Sequence, residues 1–324
     1  MELPHALRQA VDRALDGIAL ADLAQAAALL SRRYRAEIRD GRLHLNDDAA
    51  ALAYLATRLP ATFAAIRASM AAVAGRASDF APRSLLDIGA GPGSAIWAAG
   101  DCWDGLQDAL MIEASPAIRR WGERLSAEAA VAQIRWQAGD LSEGLPDLSP
   151  RDLVTLCYVL DELAPATRGK LIDRLWALTG GILLIVEPGT PAGWQLILDA
   201  RRRLIAAGGR IVAPCPHAEA CPLAAPDWCH FARRVARSRL HRQAKGAEVP
   251  WEDEKFIYLA VARPAVKLTE PAPRVIAPPR GGSGRVSLKL CQPHGEAAET
   301  LITKRDGALF KAARRADWGD LLKP

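Results

Sequence analysis

The chain has 324 residues, of which 50% are hydrophobic and 24% charged, so it is long enough for one large or two smaller globular domains. No apolar run approaches the length needed to span a bilayer, and the first residues contain acids and no apolar core typical of a secretory signal. The formal net charge is +5, with basic residues concentrated late in the chain. We therefore expect a cytoplasmic protein, a monomer, with no membrane partner.

Residues 1–80 are predicted to form an N-terminal helical subdomain. Apolar side chains recur at helical spacing between residues 23 and 34, and again between residues 63 and 73. Asn46 and Asp47 are candidates to cap a helix that begins just after them. We predict that these helices pack as a cap on the rest of the protein.

Residues 81–263 alternate strand-like apolar runs with helical patterns. The predicted strands are 84–88, 108–113, 132–136, 152–157, 181–186 and 256–262. Apolar strands separated by helices are typical of a parallel sheet covered on both faces. The sequence therefore predicts an α/β fold with a Rossmann-like sheet.

The first predicted strand runs directly into a glycine-rich turn, SLLDIGAGPGS. Glycines occupy the alternate positions Gly89, Gly91 and Gly93, and a helical pattern follows. Glycine is needed where the backbone takes a positive φ or approaches a ligand closely. A dinucleotide-binding turn of the form G-x-G-x-x-G would place glycine or alanine at position 94, where this chain has Ser94.

Acidic residues at the ends of three successive predicted strands favour S-adenosylmethionine as the ligand of this turn. Asp87 precedes the glycines, Glu113 is placed to bind the ribose hydroxyls, and Asp140 is placed to bind the adenine amine. A carboxylate beside the turn suits a cofactor that has no phosphate and carries an ammonium and a sulfonium. A nucleotide-binding Rossmann domain and an unrelated α/β protein with a glycine turn are the alternatives.

No catalytic residue is predicted. Many methyltransferases of this fold carry a polar-Pro-Pro-aromatic motif after the fourth strand, whereas this chain reads CYVLDEL at 157–163. Tyr158, Asp161 and Glu162 are the polar side chains there that could contact a bound molecule. We include Tyr158 in the predicted cofactor site.

An insertion at 209–250 carries a group of cysteines that indicates a metal site. Cys215, Cys221 and Cys229 lie within fifteen residues, and two of them precede proline, as in ferredoxin-type sites. Cys291 is the candidate for a fourth thiolate. We favour a four-iron cluster, and zinc held by three cysteines with His217 or His230 is the alternative.

The end of the chain is predicted to be a linker followed by a basic extension. Residues 264–284 are rich in proline and glycine, as in a linker or extended arm. Residues 285–324 contain two strand-like runs around Pro293-His294-Gly295, which indicate a hairpin-like unit, and then basic residues.

Two groups of basic residues adjoin the predicted metal site. Several of them repeat at three- and four-residue steps, which predicts a basic helix face suited to a phosphate backbone. The residues predicted to bind RNA are Arg233, Arg234, Arg237, Arg242, Lys304, Arg314 and Arg315.

The assembled motifs resemble the Rsm-type family of the small ribosomal subunit, which includes mitochondrial methyltransferase-like assembly factors. They are LLDIGAGPGSA, YVLDEL, EPGTPAG, CPHAEACPL with DWCHF, EDEKFIYLAVAR and KRDGALFKAARRADWGD, and they cover the chain from about residue 50 onward. The resemblance implies a class I methyltransferase fold with an inserted [4Fe-4S] site. By the same resemblance its ligands map to Cys215, Cys221, Cys229 and Cys291. The implied partner is the small ribosomal subunit and its RNA.

The sequence thus predicts an iron–sulfur, S-adenosylmethionine-binding protein that docks on small-subunit ribosomal RNA and supports assembly or translation. One alternative is an active rRNA methyltransferase that uses the same pocket. A second is a zinc-stabilised RNA-binding module with a vestigial cofactor fold.

Overall fold

The structure is a computed structural model that describes residues 1–35, 44–141 and 144–323. Its α-helices are α1 (His5–Leu15), α2 (Leu20–Arg35), α3 (Asp48–Thr57), α4 (Leu59–Arg76), α5 (Ser94–Gly100), α6 (Pro116–Ser126), α7 (Pro165–Ala177), α8 (Pro191–Ala206), α9 (Arg239–Lys245) and α10 (Ala308–Ala313). Residues 36–43 of the predicted helical subdomain lie outside the described residues.

Twelve strands are present in the described part of the chain, in two sheets. Their bounds are β1 (Ser84–Ile88), β2 (Asp108–Glu113), β3 (Gln133–Ala138), β4 (Arg151–Cys157), β5 (Thr179–Pro188), β6 (Arg210–Ala213), β7 (Phe231–Ala236), β8 (Trp251–Ala262), β9 (Arg274–Val275), β10 (Arg280–Gly282), β11 (Arg285–Cys291) and β12 (Ala297–Thr303).

The large sheet has the strand order β3-β2-β1-β4-β5-β8-β6, with β7 paired to β8. Strands β1 to β5 are mutually parallel, as predicted, because each returns to the sheet through a crossover segment. Strand β8 is antiparallel to β5, β6 and β7, so the prediction of a wholly parallel sheet is wrong at this edge. The carboxyl ends of β1 to β4 lie at one edge, where the glycine turn begins.

The insertion is more ordered than its sequence indicates. Strands β6 and β7 both arise within residues 209–250 and pair with β8. The prediction of a basic helix face is wrong for 231–236, because alternate residues of β7 point to opposite faces, with Phe231 and Val235 buried. Only the short helix α9 follows it.

Helix α4, the last of the N-terminal helices, packs against strands β5 to β8 of the large sheet. The Asp47 side chain accepts a hydrogen bond from the amide of Ala50 at 2.8 Å, which confirms the predicted helix cap. Helix α4 contacts α5 on one side and β7 and β8 on another. It is therefore buried on most of its surface, including Phe63, Ile66 and Met70.

The second sheet consists of β9 to β12 and has its own small hydrophobic cluster, which includes Val275, Leu288 and Phe310. The hairpin of β11 and β12 confirms the two predicted strand-like runs. The proline- and glycine-rich stretch 264–284 contributes β9 and β10 to this sheet, and Arg274 and Val275 are buried. The division of the chain into domains at these positions stays a prediction.

Within the described ranges, no single helix is long and apolar enough to cross a membrane, and only two bent helix pairs, angled at 112° and 56°, would reach that length and composition together.

Candidate functional site

The glycine turn after β1 takes the conformation that the sequence predicts. Gly89, Gly91 and Gly93 all have positive φ, at 67°, 54° and 87°. A Cβ atom on Gly89 would lie 2.5 Å from Cγ2 of Val159, so only glycine fits there without displacing the neighbouring loop. A Cβ atom on Gly91 would meet no atom within 4 Å, because this residue faces an open pocket.

Two carboxylates at the strand ends hold the turn in place. Oε2 of Glu113 accepts a hydrogen bond from the amide of Gly91 at 2.8 Å, and Oε1 accepts one from the amide of Ser115 at 2.8 Å. Asp87 is buried, and its Oδ1 accepts a hydrogen bond from the hydroxyl of Thr155 at 2.6 Å. Glu113 is thus fixed at the pocket wall by the same backbone that forms the cradle.

The pocket beside the turn brings together five of the seven predicted cofactor residues. These are Gly89, Gly91, Glu113, Asp140 and Tyr158. Asp87 and Gly93 do not line it and lie behind the turn. Tyr34 and Tyr54, from the N-terminal helices, and Glu162 also line the wall. Helical periodicity alone gives no sign that these two tyrosines face a pocket.

The pocket is electrostatically suited to a cation. Burial raises the pKa of Glu162 to about 8 and that of Asp87 to about 7, and it also raises the pKa of Glu113. No lysine or arginine is among the described lining residues. The sulfonium and ammonium of S-adenosylmethionine would supply positive charge beside these carboxylates, so the residues present fit this cofactor.

The loop after β4 is held in an uncommon conformation. Tyr158 is the non-glycine residue with positive φ, 61°, in the described chain. Below it, the buried carboxylate of Glu187 accepts hydrogen bonds from the amides of Val159 and Leu160 at 3.2 and 2.9 Å. Burial raises the pKa of Glu187 well above its ordinary value. These contacts fix the loop that forms one wall of the pocket.

The four predicted metal-ligating cysteines line a second cavity. Cys215 and Cys221 follow β6, Cys229 precedes β7, and Cys291 ends β11. The rest of the lining is largely apolar, including Trp194, Phe231 and Ile257, and all four cysteines are free thiols. Nε2 of His217 lies 3.4 Å from Sγ of Cys291, and its Nδ1 is buried without a hydrogen-bond partner.

The cavity disfavours thiolates in the protein alone. Burial, together with the other cysteines, raises the pKa of Cys291 to about 12 and that of Cys229 well above its ordinary value. A bound metal would supply the positive charge that stabilises the thiolates. In the described stretches, no group of three or more His, Cys, Asp or Glu side chains is arranged to hold a single metal ion. The donor set, four thiols facing one apolar cavity, fits an iron–sulfur cluster in its chemistry.

The basic residues predicted to bind RNA differ in their surroundings. Arg234 forms a bidentate pair with Asp253, and Arg237 pairs with Glu252. Arg233 donates to the carbonyl of Trp318, and Arg242 is half-buried with its Nε unpartnered. In the C-terminal extension the predicted side chains are exposed, and none has an ion-pair partner in the described part of the chain: Lys304, Arg314 and Arg315.

This strand order, with five parallel strands and an antiparallel neighbour of β5, and the glycine turn with an acid at the end of β2 define the class I methyltransferase fold. The chain matches a particular family within it over residues 48–323, the one described as "Mitochondrial small ribosomal subunit Rsm22". It belongs to that family, which confirms the resemblance found in the sequence.

Curated relatives carry the same region within longer chains. The human "Ribosome assembly protein METTL17, mitochondrial" is 30% identical over 287 residues, covering 84% of this chain and 62% of the relative. The "Rsm22-cox11 tandem protein 2, mitochondrial" of Schizosaccharomyces pombe is 24% identical over 336 residues, covering 88% of this chain and 45% of the relative. The chain thus spans less than two thirds of the length of either.

Solved structures resemble the chain distantly. Magnesium protoporphyrin IX methyltransferase (ChlM) from Synechocystis PCC 6803 with bound SAM has a TM-score of 0.41 and 15% identity, covering 72% of this chain and 90% of that chain. A TehB-like SAM-dependent methyltransferase from Corynebacterium glutamicum has a TM-score of 0.39 and 18% identity, covering 61% and 87%. Both scores lie below 0.5.

The relatives correct the predicted location. The family description and the names of the human and fission yeast relatives all specify the mitochondrion, so the cytoplasmic prediction is contradicted. That prediction depended on the lack of a recognisable signal. Lack of a signal does not by itself identify a compartment.

Proposed function

We propose that this chain is an S-adenosylmethionine-binding, iron–sulfur protein that acts on a small ribosomal subunit by binding its rRNA during assembly or translation. The observation that carries the proposal is the convergence of four cysteines from the insertion and from β11 on one cavity. Family membership across residues 48–323 supports the small subunit as the partner.

Binding of S-adenosylmethionine is supported by the pocket beside the glycine turn. Glu113 and Asp140 line it at the ends of β2 and β3, where the ribose and adenine of a nucleoside would meet them. Gly91 leaves open space that any larger side chain would occupy. When bound, the cofactor supplies an activated methyl group. The residues of this chain would bind and orient it and, through the N-terminal tyrosines, shield it from water.

An iron–sulfur cluster would be held by Cys215, Cys221, Cys229 and Cys291. Cys291 belongs to the C-terminal sheet, whereas the other three belong to the insertion beside the large sheet. Metal binding at such a site becomes free energy of folding, so the cluster would fasten the C-terminal unit to the core. The basic residues at 304–315 would thereby be held in a fixed position relative to the insertion.

Metal analysis after anaerobic purification tests the cluster. We expect iron and acid-labile sulfide in the parent protein, and loss of both in Cys291→Ser. Cys102→Ser is the matched control, because Cys102 is a free, half-buried cysteine that does not line the cavity. Stoichiometric zinc without iron would instead support the zinc-stabilised alternative, and equal iron in both variants would contradict the ligand assignment.

An active rRNA methyltransferase is the second candidate function. The pocket beside the glycine turn, which suits a cationic ligand, favours this function. The sequence CYVLDEL disfavours it, because it lacks the polar-Pro-Pro-aromatic motif. Transfer of radiolabelled methyl groups to immature small subunits separates the two functions. Methylation that is lost in Glu113→Gln would show an enzyme. Cofactor and subunit binding without transfer would support a role that does not require catalysis.

A further inference from the structure

Two buried arginines adjoin the cysteine cavity. Arg201, on α8, is 3% exposed and lines the cavity itself. Its Nη2 donates to the carbonyls of His217 and Glu219 at 2.9 and 2.7 Å, and its Nε is buried without a partner. Arg201 thus holds the loop between Cys215 and Cys221 through backbone oxygens, which carry no formal charge.

Arg274, on β9 of the C-terminal sheet, lies beside Cys291, outside the lining of the cysteine cavity and in the wall of a neighbouring pocket. It is 3% exposed and lies directly opposite Cys291 in the antiparallel pairing of β9 with β11. Residues paired in this way have side chains on the same face of a sheet, with Cβ atoms about 5 Å apart. Nη1 of Arg274 donates to the carbonyl of Gly319 at 2.7 Å, and its Nε is buried without a partner.

Neither guanidinium has a carboxylate partner within 4.0 Å in the described residues. Arginine keeps its charge in proteins, and a buried charge without a counter-charge destabilises the fold. The fold therefore places two uncompensated cations beside four thiols.

The missing negative charge matches a thiolate-ligated metal centre. Four thiolates around a metal core of charge about +2 leave a net charge of about −2. Arg201 lines the cavity and Arg274 lies opposite Cys291, so both positive charges are close to the positions that the thiolates would occupy. Both arginines therefore favour the charged state that a metal centre requires.

We propose that Arg201 and Arg274 are positioning residues of the metal centre and supply its counter-charges, one from the core and one from the C-terminal sheet. This inference depends on the proposed cysteine-ligated centre. The arginines do not ligate the metal. They stabilise its negative charge and favour its more negative, one-electron-reduced state.

The test uses the full-length protein with its cluster and the substitutions Arg201→Gln, Arg274→Gln, Arg201→Lys and Arg274→Lys. The glutamine variants remove the charge, and the lysine variants keep it. Arg263→Gln is the control, because Arg263 also donates to backbone carbonyls but neither lines the cavity nor lies opposite one of its cysteines. The midpoint potential is measured by redox titration followed by electron paramagnetic resonance, and cluster loss is measured with a ferrous chelator.

We expect each glutamine variant to lower the ratio of reduced to oxidised cluster at a fixed potential by about tenfold. This corresponds to a midpoint potential about 59 mV more negative for one electron. The lysine variants and Arg263→Gln should stay near the parent. Loss of the cluster from glutamine but not lysine variants would also support the proposal, because only the charge distinguishes them.

Two results would overturn the proposal while leaving the cluster assignment intact. One is an unchanged potential in loaded glutamine variants, and the other is equal cluster loss from glutamine and lysine variants, which would assign the arginines a packing role. If the parent contains zinc, which has no one-electron-reduced state, the redox part of the proposal is overturned. The counter-charge role is then supported by faster zinc release to a chelator from the glutamine than from the lysine variants, and overturned by equal release. A parent without any metal would overturn both the proposal and the metal centre on which it depends.

Discussion

The hydroxyl of Tyr158 donates a hydrogen bond to Oε1 of Glu254 at 3.0 Å and so joins the cofactor pocket to strand β8. Nη2 of Arg58 lies 3.4 Å from the same oxygen. In the antiparallel pairing of β7 with β8, Glu254 lies opposite Arg233. One buried carboxylate therefore connects the strained loop after β4, the N-terminal helices and the strand that carries the first group of basic residues.

Replacing Tyr158 should destabilise the fold less than replacing Glu254. Tyr158→Phe removes one donor and should cost about 1 kcal/mol of unfolding free energy. Glu254→Gln leaves the half-buried Arg58 without its counter-charge and should cost about 2 kcal/mol. Urea unfolding followed by tryptophan fluorescence measures both. Because the two residues are in contact, the double variant should cost less than the sum, and strict additivity would refute the coupling.

Two alanine substitutions in the glycine turn should separate stability from ligand binding. Gly89→Ala places a Cβ atom 2.5 Å from Val159 and should destabilise the protein by about 2 kcal/mol. Gly91→Ala meets no neighbour, so it should cost only about 1 kcal/mol from its positive φ while weakening S-adenosylmethionine binding at least tenfold. Thermal unfolding and isothermal titration calorimetry measure these effects. Normal cofactor affinity in Gly91→Ala would contradict the location of the pocket.

Cofactor binding should depend on pH through Glu162. Its pKa is raised to about 8 by burial, so the carboxylate becomes negative only as the pH rises through that value. A sulfonium favours the ionised form, and the affinity for S-adenosylmethionine relative to S-adenosylhomocysteine, which lacks the sulfonium charge, should increase between pH 6 and 9. Glu162→Gln should remove most of the increase. A ratio that is constant with pH in the parent would refute this.

The raised pKa of Asp87 should affect stability in the opposite direction. Its folded-state pKa of about 7 lies above the ordinary value of 3.8, so the folded protein binds the extra proton between these values. The contribution of Asp87 to stability is therefore full below pH 3.8 and is lost as pH rises to about 7. Asp87→Asn should remove this decline. Unfolding free energies of both proteins at pH 5 and pH 8 test it, and an equal pH dependence would contradict the assignment.

RNA binding should depend more on the C-terminal extension than on β7. The side chains of Lys304, Arg314 and Arg315 are exposed, whereas Arg234 and Arg237 are engaged with Asp253 and Glu252. Substituting Lys304, Arg314 and Arg315 by glutamine should make the slope of log affinity for rRNA against log salt concentration less steep. The change should equal about two phosphate contacts, at about 0.7 to 0.9 in slope per contact. The triple variant Arg233→Gln, Arg234→Gln, Arg237→Gln, which removes the same number of charges, should change the slope less. The reverse order would assign the RNA surface to β7.

The sequence identifies the elements of the core because their signals are local. Strands β1 and β2 occur at the predicted bounds, since a buried apolar run determines each. The glycine turn and Glu113 are predictable for the same reason. Strand β7 is not predictable in this way, because the spacing of its basic residues also suits a basic helix. Its strand conformation depends on pairing with β8, where Arg233 lies opposite Glu254 and Arg234 opposite Asp253.

Non-local contacts explain what the sequence does not predict in the two sites. Tyr34 and Tyr54 belong to a helical subdomain whose apolar spacing indicates only a packed face, and their position in the pocket depends on how that subdomain docks. Arg274 lies in a stretch rich in proline and glycine, and only the pairing of β9 with β11 brings it beside Cys291. Composition describes such a segment correctly and gives no information about its partners.

The walls of the cysteine cavity come from positions that are far apart in the chain, from Trp194 on α8 to Cys291 at the end of β11. During synthesis, Cys215, Cys221 and Cys229 leave the ribosome well before Cys291. The cavity therefore cannot close on a nascent chain until residue 291 has emerged. Premature termination between residues 230 and 290 would leave the other three cavity thiols without their fourth partner, open to oxidation.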